Sequence, residues 1–316
     1  MVRAQGAASK SSRDDLTMTP EDLKRKLRGV LAFSPTPFTS DDRVDSDGLA
    51  HHVDFLCRSG VHGIVVCGGT GEFFSLDLDE YRGVICTAAD AAGRRVPVLA
   101  GIGHSTRVAC RLAEHAASAG ADGLMINPFY FVEPSDEGAV QHYRALAQST
   151  GLGLMVFSTR GAVYTPAMVE RLAGIDSVIA FKDEYGDLKM FIETKERLGD
   201  RLAWINGMAE TLAAPYFAAG AQAFTSGIVN FAPRVSLAVW EAGAAGRWEE
   251  LQSLIARTIR PLAALRERRK GYSIAVVKEA MNLLGMPGGA VRSPLLPLDP
   301  QDREDLRTVL KELGLL

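Results

Sequence analysis

The chain has 316 residues, 47% hydrophobic and 23% charged, a balance that supports a packed core and excludes disordered, collagen-like and disulfide-scaffolded classes. Its 35 basic and 38 acidic side chains leave a net charge of −3, so no global field draws this surface to nucleic acid or anionic lipid. No apolar stretch reaches the roughly 18–20 residues of a membrane span, so no membrane partner is expected.

In chain order, residues 1–18 are polar and charged, lack the apolar segment of a secretory signal, and read as a disordered tail. From there short apolar runs alternate with longer amphipathic stretches. The predicted strands are 29–33 (GVLAF), 63–67 (GIVVC), 96–101 (VPVLAG), 123–127 (GLMIN), 153–157 (GLMVF), 178–182 (VIAFK), 202–206 (LAWIN) and 223–227 (AFTSG). Helices are predicted between them at 45–59, 79–92, 105–117, 135–148, 165–172 and 187–198, several with acidic or hydroxyl-bearing starts. Strands that are apolar throughout are buried on both faces, as in a parallel sheet wrapped by helices. Eight such units in about 200 residues predict an α/β fold, a (β/α)8 TIM barrel over residues 19–232. A doubly wound open sheet shares the alternation, but GVLAFSPTPF offers no glycine loop for a dinucleotide. Only helical patterns follow, broken at 285–289 and 293–298, so residues 233–316 read as a helical C-terminal region packed on the barrel.

In a barrel the C-terminal strand ends converge on one pocket, so polar residues there are the first candidates. After the second strand, Gly68-Gly69-Thr70-Gly71-Glu72 can turn backbone N–H groups into one concavity, with the Thr70 hydroxyl beside them; this suits a carboxylate or phosphate, and equally an ordinary tight turn. Lys182 ends the sixth strand. A desolvated lysine becomes a neutral amine able to attack a carbonyl, whereas one paired with Asp183 or Glu184 at a strand end is structural. Tyr130, Ser158, Thr159, Ser226 and Asn230 are further pocket candidates. Arg160 suits either a distal carboxylate or solvent. The six histidines form no H-E-x-x-H, His51 and His52 read as a helix surface, and the run 266–270 (RERRK) reads as a solvated helix end. Cys57, Cys67, Cys86 and Cys110 form no C-x-x-C pair and read as reduced, buried thiols, pointing to a cytoplasmic protein.

The order of SPTPF (34–38), GGTGEFFSL (68–76), VPVLAGIG (96–103), NPFYFVEPSDEG (127–138), FKDEYGD (181–187) and VRSPLLPL (291–298) resembles the dihydrodipicolinate synthase and N-acetylneuraminate lyase family of Schiff-base barrels. CGGTGEFFSL, YFVEPSDEG and SGIVNFAPR (226–234) are most similar to its 5-dehydro-4-deoxyglucarate dehydratases. The resemblance implies that Lys182 forms the imine and that Gly69 and Thr70 hold the carboxylate of a 2-keto acid. It implies substrate contacts for Tyr130, Phe157, Ser158, Ser226 and Asn230, no metal or organic cofactor, and a homo-oligomer, tetramer or dimer. The expected reaction is dehydration and decarboxylation of a carbohydrate acid to 2,5-dioxopentanoate; another 2-keto-acid aldolase, or a barrel kept as a binding protein, are the alternatives. Two departures stand out. The family's proton-relaying strand-five tyrosine falls on Phe157, leaving Ser158, Tyr185 or a water to take its place. Gly69 stands where the synthases carry a threonine, which argues against that activity and is shared with the dehydratases.

Overall fold

Apolar runs bounded by glycine form the wall of the barrel: β1 (Gly29–Phe33), β2 (Gly63–Val66), β3 (Val98–Ile102), β4 (Gly123–Ile126), β5 (Gly153–Ser158), β6 (Val178–Asp183), β7 (Ala203–Asn206) and β8 (Ala223–Ser226). All pair in parallel and in sequence order, and β8 returns to β1, with Gly29 opposite Ala223. This closure excludes the open sheet. The structure, a computed structural model, describes residues 18–129 and 131–316. Of the tail read over 1–18, residues 1–17 lie outside the described residues, and Met18 packs against the barrel interior.

The intervening helices are α2 (Ser46–Ser59), α3 (Leu78–Ala92), α4 (Thr106–Ser118), α5 (Asp136–Ser149), α6 (Pro166–Ala173), α7 (Leu188–Leu198) and α8 (Ala213–Ala218). Their starts follow local chemistry: Asp45, Ser135, Thr165 and Asp187 each accept a backbone N–H three residues on, and Asp77 with Glu80 closes a capping box. Val66, Val156, Phe181, Trp204 and Phe224 face outward and share one core with these helices.

A short helix not expected from the sequence, α1 (Pro20–Lys26), precedes the barrel; Thr19 caps it. Its Leu23, with Leu27 just beyond it, joins Leu31, Val65, Met125, Met155 and Ile205 inside the barrel. A Cβ on Gly123, the first residue of β4, would collide with Leu23, so the glycine admits the plug at the N-terminal mouth.

After β8 come α9 (Pro233–Ala244), α10 (Trp248–Leu254), a π-helical turn (Ile255–Ile259), α11 (Arg260–Glu267), α12 (Tyr272–Leu283) and α13 (Pro300–Glu312). The wide turn ends just before Pro261, which has no N–H to give an α-helical ladder. Leu262, Leu265, Val276, Val277, Leu306 and Leu310 carry these helices into the outer core. Among the described residues no helix is long and apolar enough to cross a membrane.

Candidate active site

Strand ends and C-terminal helices enclose a cavity of about 390 Å3 lined by Gly69, Thr70, Phe157, Lys182, Glu184 and Arg266, among others. Lys182 reaches it through an irregularity of register. Leu154 pairs with Val178, but the next pair is Met155 with Ala180, so β6 carries one extra residue, Ile179. Because side chains alternate between faces, one inserted residue reverses every side chain beyond it. Ile179 and Ala180 both lie in the interior cluster, Phe181 turns outward, and Lys182 turns in.

Only 1% of the Lys182 surface is exposed. Its Nζ lies 3.3 Å from the Phe157 ring centre and 5.2 Å from that of Phe33, and donates to Glu184 Oε2 at 2.5 Å. Burial holds the ammonium below the ordinary lysine range; Glu184, and Asp183 more weakly, pull the other way. Lowering this pKa makes the amine available as a nucleophile. Asp183 itself turns outward, where Tyr216 donates to its carboxylate.

On the opposite wall, the loop after β2 bends through left-handed conformations at Cys67 and Glu72. Glu72 N–H donates to Gly69 O and Phe73 N–H to Gly68 O, while among the described residues no backbone bond of the loop uses the N–H groups of Gly69 and Thr70. The loop is pinned from behind. Glu72, fully buried, accepts from Lys278 Nζ of α12 at 2.5 Å and from the Arg292 N–H at 2.9 Å. Burial draws Lys278 down to about 8 against the pull of Glu72. Arg292 also holds Glu80 bidentately at 2.6 and 2.7 Å, tying the VRSPLLPL segment to α3.

Gly69, Thr70, Phe157, Lys182 and Ser226 thus border one cavity. The Ser226 hydroxyl is already engaged with Glu210, and accepts from the Val229 N–H at 2.9 Å. Ser158 and Asn230 do not join them. Ser158 shares the outward parity of Val156, and its buried Oγ finds no partner among the described residues. Asn230 is a buried brace: its Nδ2 donates to Phe33 O and Gly227 O, both at 2.9 Å, so its Oδ1 accepts from His52 Nε2. His52 is therefore buried rather than on a helix surface, and desolvation lowers its pKa to about 4. Tyr130 lies outside the described residues. Thr159, Arg160 and Tyr185 do not line the cavity either. Of the thiols expected to be buried, Cys67 is, Cys57 and Cys110 are partly so, and Cys86 is exposed.

Glu184 and Arg266 are among the cavity residues that escaped the sequence reading. Glu184 was considered only as an ion-pair partner, although its spacing of two from Lys182 is the period that sets both on one face. Arg266 belongs to the run read as a solvated helix end. Arg268 and Arg269 do form ion pairs with Asp302, Asp305 and Asp299, but Arg266 turns to the cavity, donating through Nη2 to Ser273 Oγ at 2.9 Å. A Cβ on Gly227 would lie 3.3 Å from that Nη2, so glycine leaves room for the guanidinium.

The family model that matches is that of the dihydrodipicolinate synthetase family, over residues 26–313. A protein of Azotobacter vinelandii named probable 5-dehydro-4-deoxyglucarate dehydratase is 36% identical over 301 residues, 94% of this chain and 99% of its own length. One of Saccharopolyspora erythraea with the same name is 36% identical over 298 residues, 93% and 96% of the two chains. Among solved structures, dihydrodipicolinate synthase from Oceanobacillus iheyensis superposes with a TM-score of 0.89 at 29% identity, over 94% of this chain and all of the other. A prophage protein of E. coli K12, solved in complex with pyruvate, gives 0.85 at 28% identity, over 92% and 99%.

Proposed function

We propose, since the chain belongs to the dihydrodipicolinate synthetase family, that it is a Schiff-base lyase that dehydrates and decarboxylates 5-dehydro-4-deoxyglucarate to 2,5-dioxopentanoate. The observation that carries this reading is a buried lysine between two aromatic rings, facing an anion-suited loop across one cavity.

Lys182 attacks the keto carbon, while the N–H groups of Gly69 and Thr70, which no backbone bond uses among the described residues, receive the adjoining carboxylate. The iminium then withdraws electrons from the neighbouring methylene, which loses a proton to give an enamine. The enamine expels the hydroxyl on the next carbon as water, leaving an iminium conjugated with a new double bond. That extended sink accepts the electron pair of the far carbon–carboxylate bond as carbon dioxide departs. Decarboxylation leaves a dienamine carrying an enol; a proton added to the carbon beside the C–N carbon restores the iminium, the enol tautomerises to the aldehyde, and hydrolysis of the iminium gives the product and frees the lysine. Arg266 supports a diacid substrate, because a guanidinium recognises a second carboxylate. It serves recognition only: holding the carboxylate that leaves favours the ground state.

Assembly as a homo-oligomer in the cytoplasm belongs to the same reading. The exposed neighbours Phe131 and Val132 support a subunit contact, and the four unpaired thiols support a reducing compartment. Incubation with 5-dehydro-4-deoxyglucarate is expected to release carbon dioxide and 2,5-dioxopentanoate in equal amounts, with Lys182→Met at background. Turnover by Lys182→Met contradicts the mechanism, and a different product contradicts the substrate assignment.

A further inference from the structure

Forming an iminium from an ammonium and a ketone moves protons twice: the nitrogen gives up two and the carbonyl oxygen leaves carrying both. A group beside the nitrogen that accepts and returns protons therefore governs the step. Phe157, packed against Nζ, has no exchangeable proton; Ser158 faces away from the cavity, Tyr185 does not line it, and Asp183 is engaged on the outer face. Glu184 Oε2 lies 2.5 Å from Nζ, and its side chain opens on the cavity where the keto acid would stand.

We propose that Glu184 is the proton shuttle of imine formation and hydrolysis; the assignment rests on Lys182 being the Schiff-base residue. The carboxylate takes one proton from the Lys182 ammonium, freeing its lone pair. As the N–C bond forms, the carbonyl π pair moves to oxygen, and Glu184 hands that oxygen the proton. The carboxylate then takes a second proton from nitrogen and delivers it to the hydroxyl as the C–O bond breaks, so water leaves with the bonding pair. One proton remains on the iminium nitrogen, two have left in water, and Glu184 ends ionised opposite the new cation. Run backwards, the same transfers release product.

Rapid-quench borohydride trapping with pyruvate, on the purified full-length protein, measures this step apart from dehydration and decarboxylation. Failure of the wild type to trap pyruvate refutes the Schiff-base reading itself. Once that adduct is in hand, Glu184→Gln is expected to lower the maximum trapping rate roughly 100-fold or more across pH. Glu184→Asp should recover part of the rate, and added formate should restore part of it to Glu184→Ala. A carboxylate acting as counter-ion alone behaves differently: without it the ammonium deprotonates more readily, and the rate–pH profile moves to lower pH with its maximum intact. That shift, or wild-type rates in Glu184→Gln, overturns the assignment. The Glu184 side chain is 43% exposed, so these substitutions leave the core untouched, and unchanged thermal unfolding verifies it.

Discussion

Whether Lys182 serves as a nucleophile is decided at Ile179, the extra residue of β6. Without it the amine would face the helices and Asp183 the cavity. With it, Lys182 is buried against the Phe157 and Phe33 rings, and loss of water around the ammonium lowers its proton affinity. The sequence places Lys182 at a strand end, but the direction of its side chain depends on pairing with a neighbouring strand, which no local pattern encodes. Arg266 was hidden for a related reason: only the packing of α11 over the barrel separates it from Arg268 and Arg269. Arg266→Met is expected to raise KM for the diacid roughly 10- to 100-fold, the worth of a charge-assisted hydrogen bond, with kcat changed far less. Steady-state kinetics checks this, and an unaltered KM contradicts the role given to the guanidinium.

Between elements, the decisive joint is the one binding the loop after β2 to α12 and to the segment around Arg292. Glu72 and Lys278 are both buried, and each is tolerable only because the other is present. Removing one charge strands its partner, so Glu72→Gln is expected to cost about 3–5 kcal/mol in denaturant unfolding. The double variant Glu72→Leu with Lys278→Met should recover much of that, and a Glu72→Gln protein of wild-type stability contradicts the account of the joint. The helices α2, α3, α5, α6 and α7 were legible because their caps are local: one side chain accepting one N–H three residues on. Helix α1 was not, since under two turns carry too little periodicity to read; its cap and the Pro20 at its start were the available signals.

For the molecule as a whole, the barrel was readable because each strand is buried on both faces and so largely apolar up to its C-terminal end, with strand starts observed within two residues of those expected. Closure itself is a long-range fact, visible only when β8 meets β1. The C-terminal helices are as much part of the cavity as the strands, since α11 supplies Arg266 and α12 steadies the loop after β2. Every chemical step assigned to this cavity begins with one covalent bond at Lys182. The measurement that tests it most directly is peptide mapping by mass spectrometry after borohydride reduction in the presence of 5-dehydro-4-deoxyglucarate. The account predicts a substrate-derived increment on the Lys182 peptide, absent from Lys182→Met; continued turnover with that peptide unmodified would contradict it.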